Sequence, residues 1–264
     1  WSRKHGNDVR NSLKTHVFPR IGELPVSLVT KSEVRSILLS VQDQGKFETA
    51  HRIHQRVRAI FKFAMDRDWC ERNYAQDLDG ILVPVKPSSM LHIPINELPE
   101  YLRKLEENKA NLHRVTLIAL KIMVYASLRT QELRMAKWND LDFEGSLWRF
   151  PAEVMKNDNE HLKPMSRQTK ELLIDLQSIT GHGKFVFPGD RNPKQPMSNN
   201  TLLYGGIYRM GYRSRATIHG FRSLASSILN ESGKWNPDAI ERQLAHSEKD
   251  QVRAAYNRAN YLEE

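Results

Sequence analysis

The sequence predicts a mainly α-helical protein with a small β-sheet, divided into two parts. Three observations lead there. Across residues 48–69, Ala50, Ile53, Val57, Ile60, Phe61, Ala64 and Met65 recur at three- and four-residue spacing, while Arg52, Gln55, Arg56, Arg58 and Lys62 hold the other face. That is the pattern of an amphipathic helix. The run Val83-Pro84-Val85-Lys86-Pro87-Ser88-Ser89 then breaks the pattern, because proline lacks a backbone donor and resists helix continuation. Beyond it, apolar helical stretches enclose two short strand-like runs, Leu147-Trp148-Arg149-Phe150 and Lys184-Phe185-Val186-Phe187.

The elements follow in order. Short helices are expected over residues 8–16 and 32–41, the second capped by Thr30 or Ser32. With the helix at 48–69 they make a small bundle over residues 1–86. Residues 87–91 are the expected linker, and a second unit covers 92–264. That unit opens with helices at 96–107 and 113–126 and passes through the two strand-like runs. It returns to helix at 199–210 and 218–231, then in short pieces to the end. No internal repeat or low-complexity tract is visible.

Composition narrows the function. Hydrophobic residues make up 39% and charged residues 27% of 264, which supports folded cores and excludes wholesale disorder. The net charge of +9 points to an anionic partner, nucleic acid first. The basic excess is spread over both parts, which favours two DNA-facing surfaces over a basic tail. Cys70 is the sole cysteine, so no intramolecular disulfide and no thiolate-rich metal site can form, and a reducing cytoplasm is expected. The longest apolar stretch, 115–128, is interrupted by Lys121 and is too short to span a bilayer. The start at Trp1, without a Met or a signal segment, suggests a piece of a longer protein.

Four segments carry candidate chemistry. Ala126-Ser127-Leu128-Arg129-Thr130-Gln131-Glu132-Leu133 ends an apolar helix and presents Arg129, with Glu132 three residues on. A guanidinium there can make bidentate contacts to a phosphate, although the pair also reads as a surface salt bridge. In Ile218-His219-Gly220-Phe221-Arg222, His219 and Arg222 share a face at a helix start that Thr217 can cap. The positive end of a helix dipole suits an anion. Leu244-Ala245-His246-Ser247 offers His246, and Ala254-Ala255-Tyr256-Asn257 offers Tyr256, which alone would read as core packing. Last, Lys156 approaches a turn at Asn157-Asp158-Asn159 in what reads as a β-hairpin.

Each segment has an ordinary explanation alone, but their order does not. Arg129, a hairpin Lys156, His219-x-x-Arg222, His246 and then Tyr256 together resemble the signature of the tyrosine recombinases, the phage integrase family. The texts Ser127 to Leu133, His219-Gly220-Phe221-Arg222, Leu244-Ala245-His246 and Ala254-Ala255-Tyr256-Asn257-Arg258 resemble integrases of temperate phages and genomic islands in particular. The resemblance covers essentially the whole chain. It implies a helical core-binding domain followed by a mixed α+β catalytic domain, and a catalytic set of Arg129, Lys156, His219, Arg222, His246 and Tyr256. Ser127 stands where many members have glycine. Lys163 stands before Pro164 where an apolar strand residue is usual, which makes it a rival to Lys156. Tyr261 fits the spacing from His246 less well than Tyr256.

The implied reaction is site-specific DNA strand exchange through a 3′-phosphotyrosine, serving integration or excision of a mobile element. A phenol with a pKa near 10 needs help to lose its proton, and His219 is the candidate for that help or for positioning. Arg129, Arg222 and His246 would neutralise the non-bridging oxygens. Lys156 would protonate the leaving 5′ oxygen. Glu132 would orient the arginines. No cofactor or metal is expected: Asp140, Asp142 and Glu144 are spaced as a turn and strand start rather than as a two-metal site. Implied partners are double-stranded attachment sites, a homotetramer on two duplexes, and DNA-bending accessory proteins. The resemblance also implies an N-terminal arm-binding domain and a C-terminal segment passed to a neighbour, both expected to lie outside this stretch of sequence. The rival readings are a type IB topoisomerase and a DNA-binding protein of the same fold that has lost the chemistry.

Overall fold

A computed structural model describes residues 3–86 and 90–246. The chain divides into two compact units, Trp1–Ser88 and Ser89–Glu264. Tyr256 and Tyr261 lie outside the described residues.

The first unit is helical: α1 (Arg3–His16), α2 (Phe18–Ile21), α3 (Lys31–Gln42) and α4 (Phe47–Met65). Thr30 caps α3 through a reciprocal pair: its Oγ1 accepts from Glu33 N (3.3 Å), and Glu33 Oε2 accepts from Thr30 N (2.8 Å). Such a box satisfies two amides that would otherwise lack partners. Val34, Ile37, Leu38 and Val41 of α3 meet Ala50, Ile53, Val57 and Phe61 of α4, and Leu13 and Val17 close the core. Ile60 and Met65, expected on the apolar stripe of α4, are exposed instead. The buried stripe runs 50, 53, 57, 61, 64, and a residue next in sequence to one of these is turned about 100° away.

The second unit contains α5 (Leu98–Glu106), α6 (Arg114–Ala126), α7 (Thr130–Arg134), α8 (Arg167–Thr180), α9 (Thr201–Leu203), α10 (Gly220–Ser232) and α11 (Pro237–Gln243). α6 is central, and α5, α7, α8, α9 and α10 all pack against it. Leu117, Ile118, Ala119, Leu120, Ile122, Met123 and Ala126 are buried, so the helix is apolar on nearly every side, as a core helix must be. A three-stranded antiparallel sheet lies in the order β1 (Leu141–Asp142), β2 (Leu147–Phe150), β3 (His161–Pro164). Its register sets Trp148 opposite Lys163 and Phe150 opposite His161. The acidic trio is turn chemistry at two of its positions. Asp140 accepts from Lys137 N (3.3 Å) and Asp142 from Gly145 N (2.8 Å).

Three expectations need correction. Residues 184–187 do not form a strand; Phe185 makes one isolated bridge with Lys137. Phe185, Val186 and Phe187 are consecutive buried residues with only short pairings, Val186 N to Ala136 O and Met197 N to Phe187 O, so no ladder develops. The expected helix at 199–210 is α9 followed by a π-helical turn, Tyr204–Tyr208. There Gly206 backs onto α6 so closely that a Cβ would collide with Leu120. The sequence reading also assigned nothing to α8, whose Thr169, Leu173, Leu176 and Thr180 are buried and whose start Ser166 caps (Thr169 N to Ser166 Oγ, 3.3 Å).

Candidate active site

The site is built where α6 stops. Ser127 takes a left-handed conformation (φ 49°, ψ 42°), which turns the chain sharply and lets Arg129 stand at the head of α7. Glycine is the usual residue for such a turn, and a serine adopts it at some cost. Arg129 is then fixed from several sides. Its backbone N donates to Glu132 Oε2 (2.8 Å), its Nη1 to Glu132 Oε1 (2.5 Å), and its Nη2 to the Ala245 carbonyl (2.8 Å). Glu132 is buried, with its side chain 3% exposed, so the pair is an internal support and not the surface bridge that the segment alone suggests.

Arg222 comes from the first turn of α10. Its Nη1 donates to Ser127 O (2.6 Å) and its Nη2 to Leu244 O. The two arginines thus tie the turn after α6 to the turn after α11, where Ala245 is also left-handed (φ 50°). Burial, then the neighbouring Arg129 charge, brings the Arg222 guanidinium down to about 10, where it is still protonated at neutral pH. Its Nε is buried with no partner among the described residues.

His219 occupies the N-cap position of α10, and Thr217 Oγ1 takes the Gly220 amide (3.1 Å). Gly220 is required here: a Cβ would collide with the Leu91 carbonyl, which itself accepts from Thr217 N (3.1 Å). Desolvation first, then the charges of Arg222, Arg129 and His246, hold His219 below the ordinary imidazole value. It is therefore neutral at pH 7 and able to accept a proton. His246 Nδ1 donates to Glu241 Oε2 (2.7 Å), which fixes the ring; Nε2 can donate as well only when the imidazole is protonated.

The structure therefore brings Arg129, Glu132, His219, Arg222 and His246 together. It does not bring Lys156 to them. Lys156 is exposed in the loop between β2 and β3, and among the described residues it makes no hydrogen bond or ion pair. Lys163, the rival, is buried inside the cluster and donates to Ala126 O (2.8 Å). Sequence reading did not single out Glu241 or His161. Glu241 lies five residues before its partner, a spacing that fits no regular helical pair, and only the turn after α11 closes it. His161 is buried beside Phe150 (ring centroids 6.3 Å) and faces the same charges.

Family models match both units. Residues 1–81 match the phage integrase central domain, and residues 93–263 match the phage integrase family. The chain belongs to the phage integrase family. Among its relatives, the integrase of Enterobacteria phage P4 is 37% identical over 97% of this chain and 61% of its own length. Prophage integrase IntZ of Escherichia coli K12 is 38% identical over 100% of this chain and 64% of its own length. The chain thus spans somewhat under two thirds of these relatives. A solved structure of a lambda integrase dimer bound to a COC′ core site superposes with a TM-score of 0.76, covering 95% of this chain and 90% of that one. At 17% identity, that likeness concerns the fold.

Proposed function

We propose that this chain is the DNA-cleaving and rejoining part of a site-specific tyrosine recombinase of a mobile element. The observation that carries the reading is the convergence of Arg129, Arg222, His219 and His246 around one buried carboxylate, Glu132. A site with two permanent cations facing one buried anion has positive charge to spare, and a phosphodiester supplies the missing negative charge. Membership of the integrase family supports the same reading, as do the DNA-bound fold relatives.

The roles follow from position. Arg129 and Arg222 contact the non-bridging oxygens and bind more tightly as charge builds in the pentacoordinate transition state. His246, steadied by Glu241, donates to one of those oxygens through Nε2 when its ring is protonated. Tyr256 attacks phosphorus in line, and its proton passes to neutral His219. The 5′ oxygen leaves with a proton from Lys156, which the exposed β2–β3 loop would carry to it. The phosphodiester energy is kept in the 3′-phosphotyrosine, so a second 5′-hydroxyl can reverse the step. Exchange between two duplexes needs four such cleavages and hence four protomers. The first unit supplies the helical core-binding domain, and DNA-bending proteins are candidate partners of the assembly.

The test uses a nicked suicide duplex carrying a site that the protein itself selects from a random-sequence pool. On a denaturing gel, wild type gives a covalent protein–DNA band and Tyr256→Phe gives none. A specific complex without a covalent band in wild type would reduce the chain to a DNA-binding protein of the same fold.

A further inference from the structure

β3 carries two ionisable side chains on its buried face. Directly opposed residues of an antiparallel pair share one face of the sheet. Lys163 lies opposite Trp148 and His161 opposite Phe150, and both aromatic residues are in the core. Lys163 is only 2% exposed, so its ammonium does not reach water. A lysine costs folding free energy at such a position, and an apolar residue would suit the sheet better. Its placement therefore asks for a use.

The geometry supplies one. Lys163 Nζ donates to the carbonyl of Ala126, the last residue of α6 (2.8 Å). The final carbonyls of a helix lack intrahelical partners, and they form the negative end of its dipole. The next carbonyl, Ser127 O, is taken by Arg222 (2.6 Å). Lys163 and Arg222 thus hold consecutive peptide groups of the left-handed turn from which Arg129 projects. Four charged or titratable groups face Lys163: Glu132 from α7, Arg129 from the turn, Arg222 from α10, and His161 from its own strand.

We propose that Lys163 is a positioning residue for strand cleavage, a buried cation that clamps the Ala126 carbonyl and so fixes the turn carrying Arg129 beneath the scissile phosphate. This rests on the recombinase reading above. Lys163 is distinct from the proton donor: its hydrogen-bond partner among the described residues is a backbone carbonyl, and it is enclosed by protein. Burial, with Arg222 and Arg129 acting against Glu132, brings its pKa to about 7. A phosphate anion arriving at the arginines favours the protonated ammonium. Cleavage therefore draws on Lys163 most at lower pH, where the clamp is charged.

The experiment compares wild type, Lys163→Met and Lys156→Met on the suicide duplex. A parallel series uses a 5′-bridging phosphorothiolate, whose sulfur leaves without a proton. Lys163→Met should bind the duplex within about twofold of wild type yet form the adduct about tenfold more slowly. The ratio of wild-type to Lys163→Met rates should be largest near about pH 6 and shrink toward about pH 9. Thermal stability should hold or rise, because an apolar side chain replaces a buried cation. Amide exchange across residues 127–133 should quicken. The phosphorothiolate should rescue Lys156→Met and leave Lys163→Met slow. Rescue of Lys163→Met would make Lys163 the proton donor and overturn the proposal, as would a wild-type rate with unchanged exchange. If wild type itself forms no adduct, the recombinase reading fails, and the amide exchange alone decides whether the clamp exists.

Discussion

The first unit keeps its charges outside a closed apolar core, whereas the second places Glu132, His161, Lys163 and Arg222 inside. Among the described residues of the first unit, Asn73 is the one buried polar side chain, and it is satisfied by Arg58 O (3.0 Å) and Gln76 N (3.1 Å). Ion pairs there, such as Arg52 with Glu48 and Lys62 with Asp66, lie on the surface. Both units have apolar clusters large enough to fold. Folding alone thus does not require buried charge in this protein, and the second unit accepts it where its candidate chemistry lies. The contrast is one of purpose: surface charge tunes solubility and encounter, while buried charge holds geometry at an energetic cost.

The strongest way to break this contrast is to remove the buried carboxylate on which the buried cations depend. Glu132→Gln leaves Arg129, Arg222 and Lys163 facing one another, with Glu241 the remaining carboxylate that acts on Arg222. It should lower the unfolding free energy by about 3–5 kcal/mol, measured by urea denaturation. Adding Lys163→Met should recover part of that loss, because one repelling charge is gone. A loss below about 1 kcal/mol would mean that water reaches the cluster and screens it.

A smaller effect comes from His161. Burial first, then Lys163 and Arg242, brings this imidazole down to about 4, and its Nε2 is buried without a partner among the described residues. The unfolded chain binds a proton near the ordinary value of about 6.5, so between the two values it holds more protons than the native state. Stability is then complete above about pH 6.5 and falls as pH drops toward 4, by on the order of 2 kcal/mol. His161→Phe keeps an aromatic ring beside Phe150 and should flatten this slope in unfolding midpoints taken across that range. An unchanged slope would assign the acid sensitivity to other groups.

These two tests concern residues whose importance the sequence discloses unevenly. Helices α3, α4, α6 and α10 were legible from apolar spacing, reinforced at α3 by the Thr30 cap with Glu33. Arg129, His219, Arg222 and His246 were legible as a family pattern in fixed order. What spacing could not disclose is which charge would be internal. Lys163 and His161 alternate with Leu162 and Pro164, so the polar pair and its neighbours could each have faced the core until the register with Trp148 and Phe150 was known. α8 was missed because its buried stripe includes Thr169 and Thr180, which a hydrophobic count passes over. Glu241 was missed because a turn, and not a helical repeat, brings it to His246.

The smallest expected effect belongs to the first unit. Arg58 Nη1 on α4 donates to both carboxylate oxygens of Asp79 (2.8 and 3.2 Å), yet both side chains are about half exposed. Water competes for each group, and ordering a long side chain costs entropy, so the pair contributes little. Arg58→Ala should change the unfolding free energy by no more than about 1 kcal/mol, and less at high salt. Ile53→Ala, a few residues away in the wholly buried stripe, is the internal control: a cavity there should cost about 2–5 kcal/mol. If Arg58→Ala approached that figure, the first unit would also be storing stability in charge, and the division of labour between the two units would fail.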